Sequence, residues 1–252
     1  MIINDVKMQR IQLFRTGLKI IFLLLISGYS LQPCVSQSIT RINLSEIHQR
    51  KVRNYIVSES IDKMDDYSSI HASWKKNIDK SRFNLIEKSF FLDYDLSDVW
   101  DFYRHANMLE MWNGKSVRFG VLISKGTNTV INSYNSSFHE IDTGDVYFLN
   151  LKLLKGLLNV EVAFEIITID LKQRIMEFSY IDNNKSLGKQ SIQFFDNGAG
   201  KTKIVHLSYF KSKSSVRDDL FYPYFHKKFI REFHKNMSSL IKMRRLPFTI
   251  LK

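Results

Sequence analysis

Cysteine is nearly absent from this chain of 252 residues: Cys34 stands alone, so no disulfide framework within the chain can hold the fold. Three prolines and ten glycines leave little material for linkers or low-complexity stretches. No repeat of roughly 20 to 50 residues is present, which excludes solenoids and propellers. Long apolar runs are also missing. The longest one starts at Ile20 and ends near Leu31, short of the ~20 residues that span a bilayer as a helix. What remains is enough to fold, because 44% apolar and 13% aromatic residues build a sizeable core and exclude wholesale disorder.

The first residues read as an export signal. Lys7, Arg10, Arg15 and Lys19 precede the apolar run Ile20-Ile21-Phe22-Leu23-Leu24-Leu25-Ile26, and Cys34-Val35-Ser36 then offers small residues at the −3 and −1 positions of a cut before Gln37. An uncleaved anchor is the competing reading, and Gly28, Ser30 and Pro33 interrupt it. Acylation of Cys34 fits poorly, since Pro33 sits where a small residue normally precedes the lipidated thiol. Cleavage would leave a chain without cysteine in the periplasm, the cell envelope or outside the cell. Residues 1–36 carry four cations and one anion, so their loss takes the formal charge from +12 to +9. In an exported protein such a balance points to an anionic membrane or glycan surface rather than to nucleic acid. The cations are scattered, so a merely soluble basic surface explains them equally well.

From Gln37 to about Lys80 the chain is a polar extension with apolar residues three or four apart, among them Val52, Tyr55 and Ile56. That spacing predicts an amphipathic helix covering part of the domain, with a flexible joint at Asp65-Asp66-Tyr67-Ser68-Ser69. Residues 81–245 then form the main domain and 246–252 a tail. Phe83–Leu92 reads as a strand, Ser97–Tyr103 as a short helix capped by Ser97, and Ala106–Trp112 as a second short helix ending at Asn113-Gly114. Seven alternating segments follow: Val117–Ile123, Thr129–Ile141, Val146–Leu153, Val160–Ile169, Ile175–Ile181, Gln190–Phe195 and Lys203–Phe210. Turn clusters between them predict an antiparallel meander.

Side-chain parity assigns the faces. Val160, Val162, Phe164 and Ile166 share one face with Glu161 and Glu165 on the other, and Met176, Phe178 and Tyr180 oppose Glu177 and Ser179. The polar face is expected to be wet. The apolar one needs cover, and Phe225, Phe229, Phe233, Met237 and Leu240 recur at helical spacing after Pro223, so a long last helix closes the sheet.

The phrase Leu96-Ser97-Asp98-Val99-Trp100-Asp101-Phe102, the Met111-Trp112 pair before Gly114, Asn197-Gly198-Ala199-Gly200-Lys201-Thr202 before the last strand, and the aromatic last helix together resemble the START-like (SRPBCC) superfamily over about Phe83 to Met243. The resemblance implies an α+β helix-grip fold, a curved antiparallel sheet of seven or eight strands wrapped on a long C-terminal helix. It also implies a cavity for a hydrophobic small molecule or lipid. Trp112, Val162, Phe164, Ile166, Phe178, Tyr180, Phe194, Tyr222, Phe225, His226, Phe229 and Phe233 are the expected lining, with a filled aromatic core as the alternative. The expected role is that of an exported binding or carrier protein. The alternatives are a cyclase- or aromatase-like enzyme using the same cavity and a non-binding structural protein of the envelope with residues 37–80 as a docking arm.

Motifs for other chemistry are weak. His226 and His234 lie two helical turns and roughly 12 Å apart, too far to share a metal unaided, and no cofactor or metal is expected. His206 alternates with Val205 and Leu207 and is expected on the polar face. Ser186-Leu187-Gly188 reads as a loop rather than a nucleophile elbow, and the lysine-glycine-threonine stretches near 125 and 200 read as hairpin turns. Ser215-Val216-Arg217-Asp218-Asp219 followed by Tyr222-Pro223-Tyr224-Phe225-His226 groups charge, tyrosine and histidine at the mouth of the fold. It serves either as a head-group anchor or, more economically, as the charged N-terminus of the last helix. An enzyme would need a polar dyad inside the cavity, such as Tyr180 with His226 or His234.

Overall fold

The computed structural model describes residues 40–134, 139–212, 214 and 217–245. The expected signal segment with Cys34 and Gln37, the residues Ser215 and Val216, part of the expected strand Thr129–Ile141 and the tail from 246 lie outside the described residues.

Among the described residues, eight strands form one sheet. They are β1 (Asn84–Leu92), β2 (Val117–Ser124), β3 (Thr129–Ile131), β4 (Asp145–Leu153), β5 (Leu158–Asp170), β6 (Ile175–Tyr180), β7 (Ser186–Asp196) and β8 (Thr202–Ser212). Their order is β1-β8-β7-β6-β5-β4-β2-β3, and every neighbouring pair is antiparallel. Helices α2 (Leu96–His105) and α3 (Met108–Met111) link β1 to β2, and the long α4 (Tyr222–Arg245) follows β8 through a π-helical turn at Arg217–Phe221. Apolar side chains from both layers interlock between sheet and helices: Phe164, Phe178, Phe194 and Ile204 on the strands meet Val99 and Tyr103 of α2, Met111 of α3, and Phe233, Met237 and Ile241 of α4.

Several local expectations are corrected. The first short helix starts at Leu96 behind Asp95, so Ser97 lies inside its first turn rather than capping it. Asn107 caps α3, its side chain accepting from the Leu109 N–H. The expected strand Thr129–Ile141 pairs only to Ile131, and the Ile141 N–H instead donates to the Arg104 carbonyl. Ser186-Leu187-Gly188 is not a loop but the first part of β7. Gly188 passes so close to β8 that a Cβ there would lie 1.9 Å from the Tyr209 carbonyl oxygen, and its φ of +138° suits glycine alone.

The larger correction concerns the outer face of the sheet, which is not simply wet. Helix α1 (Arg50–Ser58) buries Val52, Tyr55 and Ile56, and together with Ile47, Ile61 and Tyr67 they form a second core against Val121, Ile123, Val146, Phe148 and Ala163. Gly120 makes room for this layer, since a Cβ there would meet Val52 Cγ1 at 2.9 Å. The expected joint at Asp65–Ser69 is a 3-10 turn capped by Asp66, with Tyr67 wholly buried and its hydroxyl donating to the Thr40 carbonyl. Lys125 Nζ reaches both Glu165 Oε1 at 2.6 Å and the Ile70 carbonyl at 2.9 Å, which ties the same layer down.

Candidate ligand pocket

Three local features position the wall that α4 presents to the sheet. Glu232 on α4 sends Oε1 back to β2, where it accepts from the Ser116 N–H at 2.7 Å and the Val117 N–H at 3.4 Å. Gly114 makes the approach feasible, since a Cβ there would lie 1.7 Å from that oxygen; its place before the strand therefore serves helix docking. At the other end of α4, Asp218 accepts from the Ser212 N–H through Oδ2 at 2.8 Å and so ties the π-helical turn to the end of β8. That bond goes to the strand that precedes the helix, which is a different use of Asp218 from the expected helix-end charge.

Between β4, β5, the start of β7 and the first turns of α4 lies a pocket of about 480 Å³. Its walls are Leu151, Leu153, Val160, Val162, Phe225 and Phe229, with Tyr180, Tyr222 and His226 at its inner end and Leu154, Leu158 and Phe221 at its rim. Beneath it is a second void of only about 60 Å³, between Trp112, Phe164, Phe178, Phe229 and Phe233. The middle of the fold is therefore nearly filled, and the usable space sits at the open end. Of the expected lining residues, Val162, Tyr180, Tyr222, Phe225, His226 and Phe229 come together around the larger pocket. Trp112, Phe164, Phe178 and Phe233 border only the small void, and Ile166 and Phe194 pack in the inner core and touch neither.

The β4–β5 hairpin was missed as a wall. Leu153-Leu154-Lys155-Gly156-Leu157-Leu158 is an apolar turn sequence, and a turn that keeps leucine where polar residues are usual is the signal that could have found it. Leu154 at 58% and Phe221 at 54% leave the rim greasy, and Leu157 on the same hairpin is 89% exposed. The rim also carries the ion pair between Lys185 and Glu161.

A chain of buried polar groups runs from the helices through the core to this pocket. Tyr103 Oη lies 2.9 Å from His234 Nδ1, His234 Nε2 lies 2.9 Å from His206 Nδ1, and His206 Nε2 lies 2.9 Å from Gln190 Oε1. Gln190 Nε2 then donates to the Tyr180 hydroxyl at 3.4 Å, and Tyr180 is hydrogen-bonded to Tyr222. The protons follow from the acceptor at Gln190. His206 must donate from Nε2, so its neutral ring accepts at Nδ1 from His234 Nε2–H, and His234 accepts at Nδ1 from Tyr103. Burial pushes the pKa of His234 down to about 3 and that of His206 well below its ordinary value, so neutral rings are the species present.

His206 thus faces inward, contrary to the parity expected for it. The inner face of β8 carries Ile204, His206, Ser208 and Phe210, and the outer face carries Tyr209, which packs on Trp74 at 5.9 Å between ring centres. A covered outer face allows apolar residues on both sides of this strand, which removes the contrast that parity relies on. The expected dyad partners His226 and His234 occupy different places: His234 is inside the hydrogen-bonded chain, and His226 stacks on Tyr222 at 4.9 Å in the pocket wall. Among the described residues, no group of three histidine, cysteine, aspartate or glutamate side chains is placed to hold a metal.

One sheet of antiparallel strands, two short helices after the first strand and a long last helix laid across the inner face fix the architecture. It is a helix-grip fold. No protein-family model matches the chain, and no curated protein matches it. Solved structures of similar shape include norcoclaurine synthase from Thalictrum flavum in complex with dopamine and hydroxybenzaldehyde, with 12% identity, 69% of this chain and 96% of that chain covered, and a TM-score of 0.48. Others are a protein from Thermus thermophilus (8% identity, 65% and 100% covered, TM-score 0.48) and the protein Ara h 8.0201 (12%, 64% and 99%, TM-score 0.46). At these scores the likenesses bring neither a ligand nor a reaction to this chain.

Proposed function

We propose that this chain is an exported binding or carrier protein that takes a hydrophobic small molecule or lipid into the pocket at the open end of its helix grip. The observation that carries the reading is the pocket itself: about 480 Å³ of space walled mainly by leucine, valine and phenylalanine, with a few polar atoms gathered at one end. Pockets of several hundred Å³ with that composition suit ligands of drug or lipid-fragment size. The greasy rim at Leu154 and Phe221, with exposed Leu157 on the same hairpin and Lys152 and Lys155 next to it in sequence, fits collection of the ligand from an anionic membrane surface. Export is supported by the basic, then apolar, then small-residue order of the first 36 residues. A second reading, a cyclase- or aromatase-like enzyme, draws on the hydrogen-bonded chain that delivers Tyr180 and Tyr222 to the pocket wall.

Native mass spectrometry of the protein purified from its own host tests these together. The carrier reading expects a chain beginning at Gln37 with an apolar molecule bound, whereas the enzyme reading expects added substrate to be converted. Phe229→Ala, at the pocket, should lower occupancy and leave the melting temperature nearly unchanged. Phe178→Ala, packed below it, should cost about 3–5 kcal/mol of stability. A wild-type protein that holds no apolar molecule and loses stability equally in both variants would favour the structural reading.

A further inference from the structure

His226 is 8% exposed, yet its Nε2 has no hydrogen-bond partner. The ring borders both the large pocket and the small void beneath it, so this nitrogen is an unspent polar atom in an apolar wall. The other two buried histidines differ: each ring nitrogen of His206 and His234 is bonded within the fold. A polar atom left unpaired in a dry site lowers stability unless something polar arrives to meet it.

We propose that the pocket selects an amphiphile whose polar end is an uncharged hydroxyl, an alcohol or a phenol, docked on His226 Nε2 with its apolar part against Leu151, Val162 and Phe229. This rests on the binding reading above. A hydroxyl both donates and accepts, so it satisfies Nε2 in either tautomer of the ring, whereas a ketone or ester serves only one. A carboxylate fits poorly. The Lys185 ammonium at the rim already pairs with Glu161, and among the described residues that line the pocket no other cation faces an anion at the inner end, where it would be desolvated against aromatic rings. Burial also holds the His226 pKa down to about 3, so the ring itself supplies no charge for it.

Displacement of a neutral naphthylamine fluorophore from the full-length protein at neutral pH is the test, with para-hexylphenol, hexylbenzene and para-hexylbenzoate as competitors of equal apolar body. The phenol should compete about tenfold better than either of the others, the worth of one buried hydrogen bond. His226→Leu should erase that advantage and leave hexylbenzene unchanged or tighter. In nitrogen-15 histidine-labelled wild type, the phenol and not hexylbenzene should shift the His226 Nε2 resonance, which keeps the test open if the variant does not fold. Equal competition by phenol and hexylbenzene, tightest binding by the benzoate, or an unmoved Nε2 resonance overturns the hydroxyl assignment while the carrier reading stands. Failure of any apolar probe to bind overturns both.

Discussion

His206, His226 and His234 meet where β8 faces α4, and all three are buried, at 3%, 8% and 2% exposed. The bonds of His206 and His234 run to each other, to Tyr103 and to Gln190, so no carboxylate among the described residues stabilises an imidazolium there. His226 and His234 are held down to about 3 and His206 well below its ordinary value, by burial first and for His206 also by its two histidine neighbours. The sign follows. The unfolded chain binds more protons than the folded one below the ordinary histidine pKa of about 6.5, so the contribution is complete above that value and is lost as the pH falls toward the folded values. Each ring should remove about 2 kcal/mol of stability between about pH 7 and pH 5. Urea unfolding across that range should show a steep loss, and His226→Leu should recover about a third of it; a flat profile would mean that the rings are solvated. His206 also marks the limit of reading single residues from sequence. Its inward direction is matched by its buried partners His234 and Gln190, and alternation along one strand carries no record of them.

Elements with a strong internal period were legible for a physical reason: along β5 and β6 one face, with Phe164, Ile166, Met176 and Phe178, enters the inner core, while Glu165 and Glu177 point the other way and pair with lysines. The same holds for α4, whose Phe229, Phe233 and Met237 repeat because they meet one sheet. Boundaries were less legible, as with β7, which extends back to Ser186 because Gly188 can pass against Tyr209 without a Cβ. The β4–β5 hairpin was passed over because a turn is expected to be polar. At its tip the cost of exposing Leu157, at 89%, has no return within the fold, and Lys155 stands two positions away. Insertion of that tip into a lipid surface would recover the cost. Leu157→Asp should therefore cut sedimentation with vesicles rich in anionic lipid several-fold, with the melting temperature unchanged. Equal binding of wild type and variant would mean that the tip does not insert, and no binding by either would assign the basic surface a role in solubility alone.

At the scale of the whole molecule, one sheet serves two cores. The inner core joins β1 to β8 with α2, α3 and α4, and the outer one joins β2 to β5 with the segment from Ile42 to Ile70. The helical spacing of Val52, Tyr55 and Ile56 was visible in the sequence, but which surface they cover was not, because Val121, Ile123 and Val146 lie 65 to 94 residues further along and only strand pairing brings them onto one face. A free docking arm would keep its apolar stripe for a partner. Here the stripe is already used: Val52 is 1% exposed, Ile56 0% and Tyr67 0%. Ile56→Ala should then behave as a core truncation, with a loss of about 2–5 kcal/mol set by how far α1 and Phe148 collapse into the space. Thermal unfolding of the variant is the measurement. A wild-type melting temperature would mean that the segment leaves the sheet in solution, and its apolar side would then be open to another molecule. The expected loss instead makes this layer the rigid backing of β4 and β5, the two strands that form the pocket wall opposite α4, so the same variant should also weaken binding of an apolar probe without altering any residue that touches it.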